Sequence, residues 1–191
     1  MEGAYSMSHY FIGIKVHSEI RDKLMTWQSI LKKRMAYKDW TAEEDLHITL
    51  KFLGSCSDEK VDGYIQLLKK ESWPSEYLLS IGPAGSFGDQ ERPRVFHAQV
   101  QRAPGLLETK DKVDAIGEKL GFEKEKRKFS PHITLAKKQP EGVSPLIEVS
   151  EYSILLETYK MAVNEISFFR IHPGDQPKYE TVATIKGGSK N

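Results

Sequence analysis

An α+β fold made of two related halves, bilobal about a pseudo-twofold axis, with antiparallel sheets lining a central cleft and helices on the outer faces, is predicted by three observations. The tetrapeptide His-Ile-Thr-Leu stands at residues 47–50 and again at residues 132–135, eighty-five positions later. Its surroundings repeat at the same spacing: an extended run near 11–16 and a helical pattern near 19–36 return near 96–101 and 104–121. The extended segments join through short turns, which favours antiparallel pairing over parallel crossovers.

The run YFIGIKV over residues 10–16 is apolar and β-rich and reads as a buried strand. Ser18 is a plausible N-cap for the helix that follows, with Leu24, Trp27, Ile30 and Leu31 at helical spacing to about Met35. Residues 47–53 alternate, so that His47, Thr49 and Lys51 are expected on one face and Ile48, Leu50 and Phe52 on the other. Gly54 ends that strand, and Ser57-Asp58-Glu59 opens a helix through Val61, Ile65 and Leu68 that Trp73-Pro74 stops. An extended stretch from Tyr77 to Ile81 leads into GPAGSFGDQERPR, whose glycines and prolines read as a loop before a strand over 95–100. Pro104 starts the next helix and Gly121 closes it. One or two strands are expected between Ser144 and Tyr159, then a hairpin across the turn HPGDQP.

A chain of 191 residues fits a single bilobal domain over 1–191, with residues 1–6 before Met7 a disordered extension. The 28 Lys and Arg balance 27 Asp and Glu to a formal charge of +1, so attraction to a polyanion must come from a local patch. The lone cysteine, Cys56, excludes an intramolecular disulfide and a thiolate metal cage. With no leader pattern and no apolar run near the roughly 18 residues of a membrane span, the expectation is a cytoplasmic monomer without membrane contact.

Residues two apart in a strand share a face about 6.6 Å apart, so each repeat aims one imidazole and one hydroxyl the same way. A pseudo-twofold axis would bring His47, Thr49, His132 and Thr134 around one small anion. Two imidazoles of ordinary pKa near 6.5, one protonated and one neutral, suit in-line displacement at phosphorus, with threonine hydroxyls on the non-bridging oxygens. Lys51, Lys137 and Lys138 are candidates for the cation that offsets the developing charge. A mononuclear metal site is the main chemical rival, but there is no HExxH, and Glu44 or Asp45 would lie off the histidine face. Cys56 has no evident base. His9, His17, His97 and His172 read as ordinary solvated or hydrogen-bonded histidines. Arg92, Arg94 and the charged run 123–128 read as solvated loop that could brush a polyanionic tail.

The segments HITLKFLG, FGDQERPRV and FSPHITLAKK, with the closing strand pair, resemble the 2H phosphoesterase superfamily, and within it the RNA 2′,3′-cyclic phosphodiesterases first described as 2′-5′ RNA ligases. The resemblance covers nearly the whole chain. It implies a metal-independent enzyme with no cofactor, acting on RNA 3′ ends or small cyclic-phosphate nucleotides. It also implies His47 as general acid, His132 as general base, and Thr49 and Thr134 as phosphate donors. The family often carries arginine where this chain has Lys137, which keeps the charge but loses the bidentate fork. Strict alternation puts Lys137 on the face away from His132, so a bulge would have to re-aim it, and Lys138 remains its rival. Relatives acting on other cyclic or 2′-5′ phosphodiesters, and an idle RNA-end-binding module, are the alternative readings.

Overall fold

The computed structural model describes residues 7–89, 93–138 and 151–188. The expected extension over residues 1–6, Arg92 and the expected strand start at Ser144 lie outside the described residues. The elements in order are β1 (Ser8–Lys15), α1 (Ser18–Leu31), β2 (Asp39–Trp40), a 3₁₀ turn (Glu43–Asp45), β3 (His47–Cys56), α2 (Asp58–Lys70), β4 (Tyr77–Gly88) and β5 (Pro93–Val100). There follow α3 (Pro104–Lys119), β6 (His132–Lys137), a second 3₁₀ turn (Ser153–Leu156), β7 (Tyr159–Val163), β8 (Glu165–Ile171) and β9 (Tyr179–Lys186).

Instead of separate sheets, the strands form one nine-stranded sheet in the order β7-β4-β5-β6-β3-β1-β8-β9, with β2 on the end of β6. Every described pairing is antiparallel. The two motif strands meet at the centre, where Ile48 pairs with Ile133, its own image eighty-five residues on. The pseudo-twofold axis therefore passes through that pair, and each lobe reads outward from it as motif strand, preceding strand, and two more.

The halves are exchanged as well as repeated. β4, which follows the first motif, pairs with β5 in the second lobe, and β8, which follows the second motif, pairs with β1 in the first. The helices cross in the same way. From α1, Trp27 donates to the Tyr159 hydroxyl of β7 and Gln28 donates to the Leu135 carbonyl of β6. From α3, Asp114 pairs with Lys51 of β3, and Gly117 leaves the room in which the Lys51 stem lies, since a Cβ there would sit 2.8 Å from its Cε. Leu24, Trp27, Ile48, Leu68, Phe96, Leu106, Val113, Ile133 and Leu135 form one core between the sheet and these helices.

Several expectations change in detail. The glycine- and proline-rich segment after Ile81 is not a loop: β4 continues to Gly88, because Gly82 takes a positive φ of 103° and a register shift before Ala84 absorbs the irregularity. His17, not Ser18, is the N-cap of α1, and the helix ends at Leu31 before Met35. Just before Tyr159 the backbone forms the 3₁₀ turn instead of a strand. The hairpin across HPGDQP forms as expected between β8 and β9.

Candidate active site

The Ile48–Ile133 register sets the geometry of the centre. One residue outward in each direction, His47 lies beside Thr134 and Thr49 beside His132, all four on the face opposite the buried isoleucines. His47 and His132 are then diagonal neighbours, which in an antiparallel pair stand about 7–8 Å apart. That leaves room for one tetrahedral anion between the imidazoles.

Each motif strand carries the same bulge. Between β1 and β3 the register runs Gly13 with Thr49 and then Ile12 with Lys51, leaving Leu50 unpaired. Between β5 and β6 it runs His97 with Thr134 and then Phe96 with Ala136, leaving Leu135 unpaired. The carbonyl freed at Leu135 accepts from the Gln28 side chain at 2.9 Å and from the Thr41 amide at 3.0 Å. Beyond each bulge the alternation reverses. Lys51, expected on the histidine face, is 6 % exposed on the core side, where it meets Asp114 and donates to the Glu123 carbonyl at 3.0 Å. Phe52, expected in the core, is 61 % exposed and pairs with Phe11 on the cleft face. Lys137, the image of Phe52, is turned to the cleft by the second bulge. Its ammonium lies 3.8 Å from Asp39, as does that of the exposed Lys138.

The imidazoles are held by matching backbone bonds. The Nδ1 of His47 donates to the Asp45 carbonyl at 2.6 Å, and that of His132 donates to the Ser130 carbonyl at 2.9 Å, in each case two residues back. A carbonyl can only accept, so Nδ1 carries the proton and Nε2 is the lone-pair nitrogen of the neutral ring. The Thr49 hydroxyl lies 3.0 Å from the Nε2 of His47. The Asp45 carboxylate, itself buried, accepts from the Lys178 and Tyr179 amides at 2.9 and 3.1 Å, tying the β8–β9 turn to the histidine's support.

Burial lowers the His47 pKa to about 4, against the Asp45 carbonyl bond and charge, and His132 and Lys137 add to the lowering. Burial also lowers His132, against its bond to Ser130. Aromatic rings provide the enclosure. Phe11 lies 4.6 Å from His47 between centroids and Tyr179 meets it edge-on at 5.0 Å, while Phe87 meets His132 edge-on at 4.8 Å.

Three cleft residues escape the pattern of the repeat. His97, an ordinary histidine by sequence, is 5 % exposed, stacks on Phe87 at 4.1 Å and meets His132 edge-on at 5.3 Å. Burial and then the charge of His132 lower its pKa to about 3. By register it stands opposite Thr134 where Gly13 stands opposite Thr49, so the lobes differ there. Lys15 pairs with His47 across β1 and β3 and reaches over the Phe169 ring at 6.0 Å. Phe52 is the third. The glycine inside YFIGIKV was the available signal, since a glycine within a strand often marks a bulge or a close backbone approach.

The sequence model of the family described as LigT-like phosphoesterase matches residues 14–97. A Geobacillus stearothermophilus protein named RNA 2′,3′-cyclic phosphodiesterase is 31 % identical over 93 % of this chain, which spans 57 % of that protein's length. A Thermotoga maritima protein of the same name is 30 % identical over 72 % of this chain and 75 % of its own. In fold, the crystal structure of Escherichia coli LigT complexed with 3′-AMP superposes at a TM-score of 0.77 and 22 % identity, covering 96 % of this chain and all of that one.

Proposed function

Because the chain belongs to the LigT-like phosphoesterase family, we propose that it hydrolyses the 2′,3′-cyclic phosphodiester at RNA ends to a 2′-phosphomonoester, with His132 as general base and His47 as general acid. The whole chain acts as one bilobal domain in this reading. His132 takes a proton from water through Nε2 as the water oxygen attacks phosphorus. The bond from phosphorus to O3′ breaks on the opposite side, and His47 delivers its Nε2 proton to O3′, leaving a free 3′-hydroxyl. Thr49 and Thr134 donate to the non-bridging oxygens, and Lys137 offsets their charge. With a 5′-hydroxyl in place of water, the same step would join ends through a 2′-5′ linkage, His132 and His47 keeping their roles; its reversal, in which the 3′-hydroxyl attacks phosphorus and expels the 5′-oxygen, would exchange them.

The observation that carries the reading is the paired register at Ile48 and Ile133, which aligns two backbone-anchored imidazoles and two hydroxyls on one face. Burial lowers both rings below the ordinary imidazole range, so both are neutral near pH 7, and the charge of the bound phosphodiester supports protonation of one of them. The test uses an RNA oligonucleotide ending in a 2′,3′-cyclic phosphate. The 2′-phosphomonoester is the expected product, with turnover unchanged by EDTA. His47→Ala and His132→Ala are each expected to lower kcat by a factor of about 10²–10⁴ while the protein stays folded by circular dichroism. Full turnover in either variant ends the assignment.

A further inference from the structure

Beyond Lys137 the cleft opens into a cavity of about 260 Å³ between β2, the first 3₁₀ turn and the β8–β9 turn. One carboxylate in its wall meets three ammonium groups. Lys178 donates to Asp39 at 3.1 Å, and Lys137 and Lys138 stand 3.8 Å away, beyond hydrogen-bonding range. Consecutive strand residues point to opposite faces, so two neighbouring lysines reaching one carboxylate needs a backbone change. Lys138 supplies it with a φ of 62°, and the Lys38 amide donates to its carbonyl at 3.2 Å. Burial would raise the Asp39 carboxyl, but the Lys178 bond and the charges of Lys137, Lys178 and Lys138 hold it below the usual carboxylate range.

The remaining acids do not cancel this surplus. With the Asp45 carboxylate, which accepts from two backbone amides, and the exposed Asp175 and Lys38 counted in, four lysines stand against three carboxylates. An excess of cations around an ionised, half-buried carboxylate suits a further anion, because each ammonium retains protons for a second acceptor. With a net charge of +1 on the whole chain, such a local excess is what would draw a polyanion to this end of the cleft.

We propose that this cavity is a second anion site, holding the phosphodiester that joins the reactive terminal nucleotide to its 5′ neighbour in an RNA strand. The inference rests on the function proposed above and extends it: the enzyme distinguishes a strand end from a lone cyclic nucleotide by a contact outside the reacting centre. Lys137 faces both sites and links them, while Lys138 and Lys178 serve the outer one.

The test compares two substrates that differ by this contact: a nucleoside 2′,3′-cyclic phosphate, and a tetraribonucleotide ending in the same cyclic nucleotide. The wild-type protein is expected to show the lower KM for the tetranucleotide. Lys138→Gln and Lys178→Gln should each raise that KM roughly three- to tenfold and leave kcat for both substrates and KM for the mononucleotide unchanged. Each should also reduce the slope of log KM against log salt by about one for the tetranucleotide alone. Lys138 is an exposed side chain, so its variant keeps the test open if Lys178→Gln folds poorly. Equal losses on both substrates, or none on either, overturn the proposal. If neither compound is turned over, the proposed hydrolysis fails, and equilibrium binding of the two 2′-phosphate products decides the second site. A wild-type preference for the tetranucleotide that both variants lose upholds it, and equal affinity rejects it.

Discussion

Each imidazole is anchored through Nδ1 to a carbonyl two residues upstream and enclosed by aromatic rings, which has an electrostatic consequence. The backbone bond favours the protonated ring, burial disfavours it, and burial dominates at both His47 and His132. An anion between them reverses the balance, so binding and proton uptake are linked. A neutral ring that becomes charged on binding makes affinity rise as pH falls. Sulfate, whose charge does not change over the range, should therefore bind more tightly at pH 6 than at pH 8. Calorimetry in two buffers of different ionisation enthalpy should record proton uptake, lost when His47 and His132 are both replaced by Gln. Affinity independent of pH would show that the rings do not meet the anion as drawn.

At the scale of the element, the repeat and its two histidine–threonine pairs were legible because alternation holds from His47 to Leu50 and from His132 to Leu135. It fails one residue later. A bulge removes a residue from the pairing without leaving a mark in the hydrophobic pattern, so Lys51 and Phe52 exchange faces and Lys137 turns inward. His97 was equally hidden, since a histidine beside a phenylalanine in a strand says nothing about which strand it will face. Gly13 shows what the first bulge requires. A Cβ there would lie 2.6 Å from the Ile48 carbonyl oxygen, on the strand that carries the first motif. Backbone cannot swing aside as a side chain can. Gly13→Ala should cost about 1–3 kcal/mol, read as a lower urea midpoint with an unchanged slope, and should lower turnover by displacing β3. An unchanged midpoint would mean that the strands separate freely at this point.

In the whole molecule, α1 lies under the second lobe and α3 under β3, so neither half can lose its packing without exposing the other. Unfolding should then be one cooperative transition, and a charge buried in either lobe should weigh on the entire fold. His97 is the case to follow, because it is nearly enclosed and its Nδ1 has no hydrogen-bond partner among the described residues. In the unfolded chain its pKa returns to near 6.5, whereas in the fold it stays neutral to about pH 3. The unfolded state thus binds the extra proton throughout that window, and stability that is complete above pH 6.5 drains away as the pH falls through it. At pH 5 the loss from His97 alone is about 2 kcal/mol, which for a chain of this size lowers Tm by roughly 4–8 °C, and His47 adds to it in the same direction. His97→Phe keeps a ring stacked on Phe87 and removes the titration. Its Tm should fall several degrees less between pH 7.5 and pH 5 than that of the wild type, with a single transition in both. Equal acid sensitivity in the two proteins would assign the acid lability to other groups, and two resolved transitions would contradict the interlocking of the lobes.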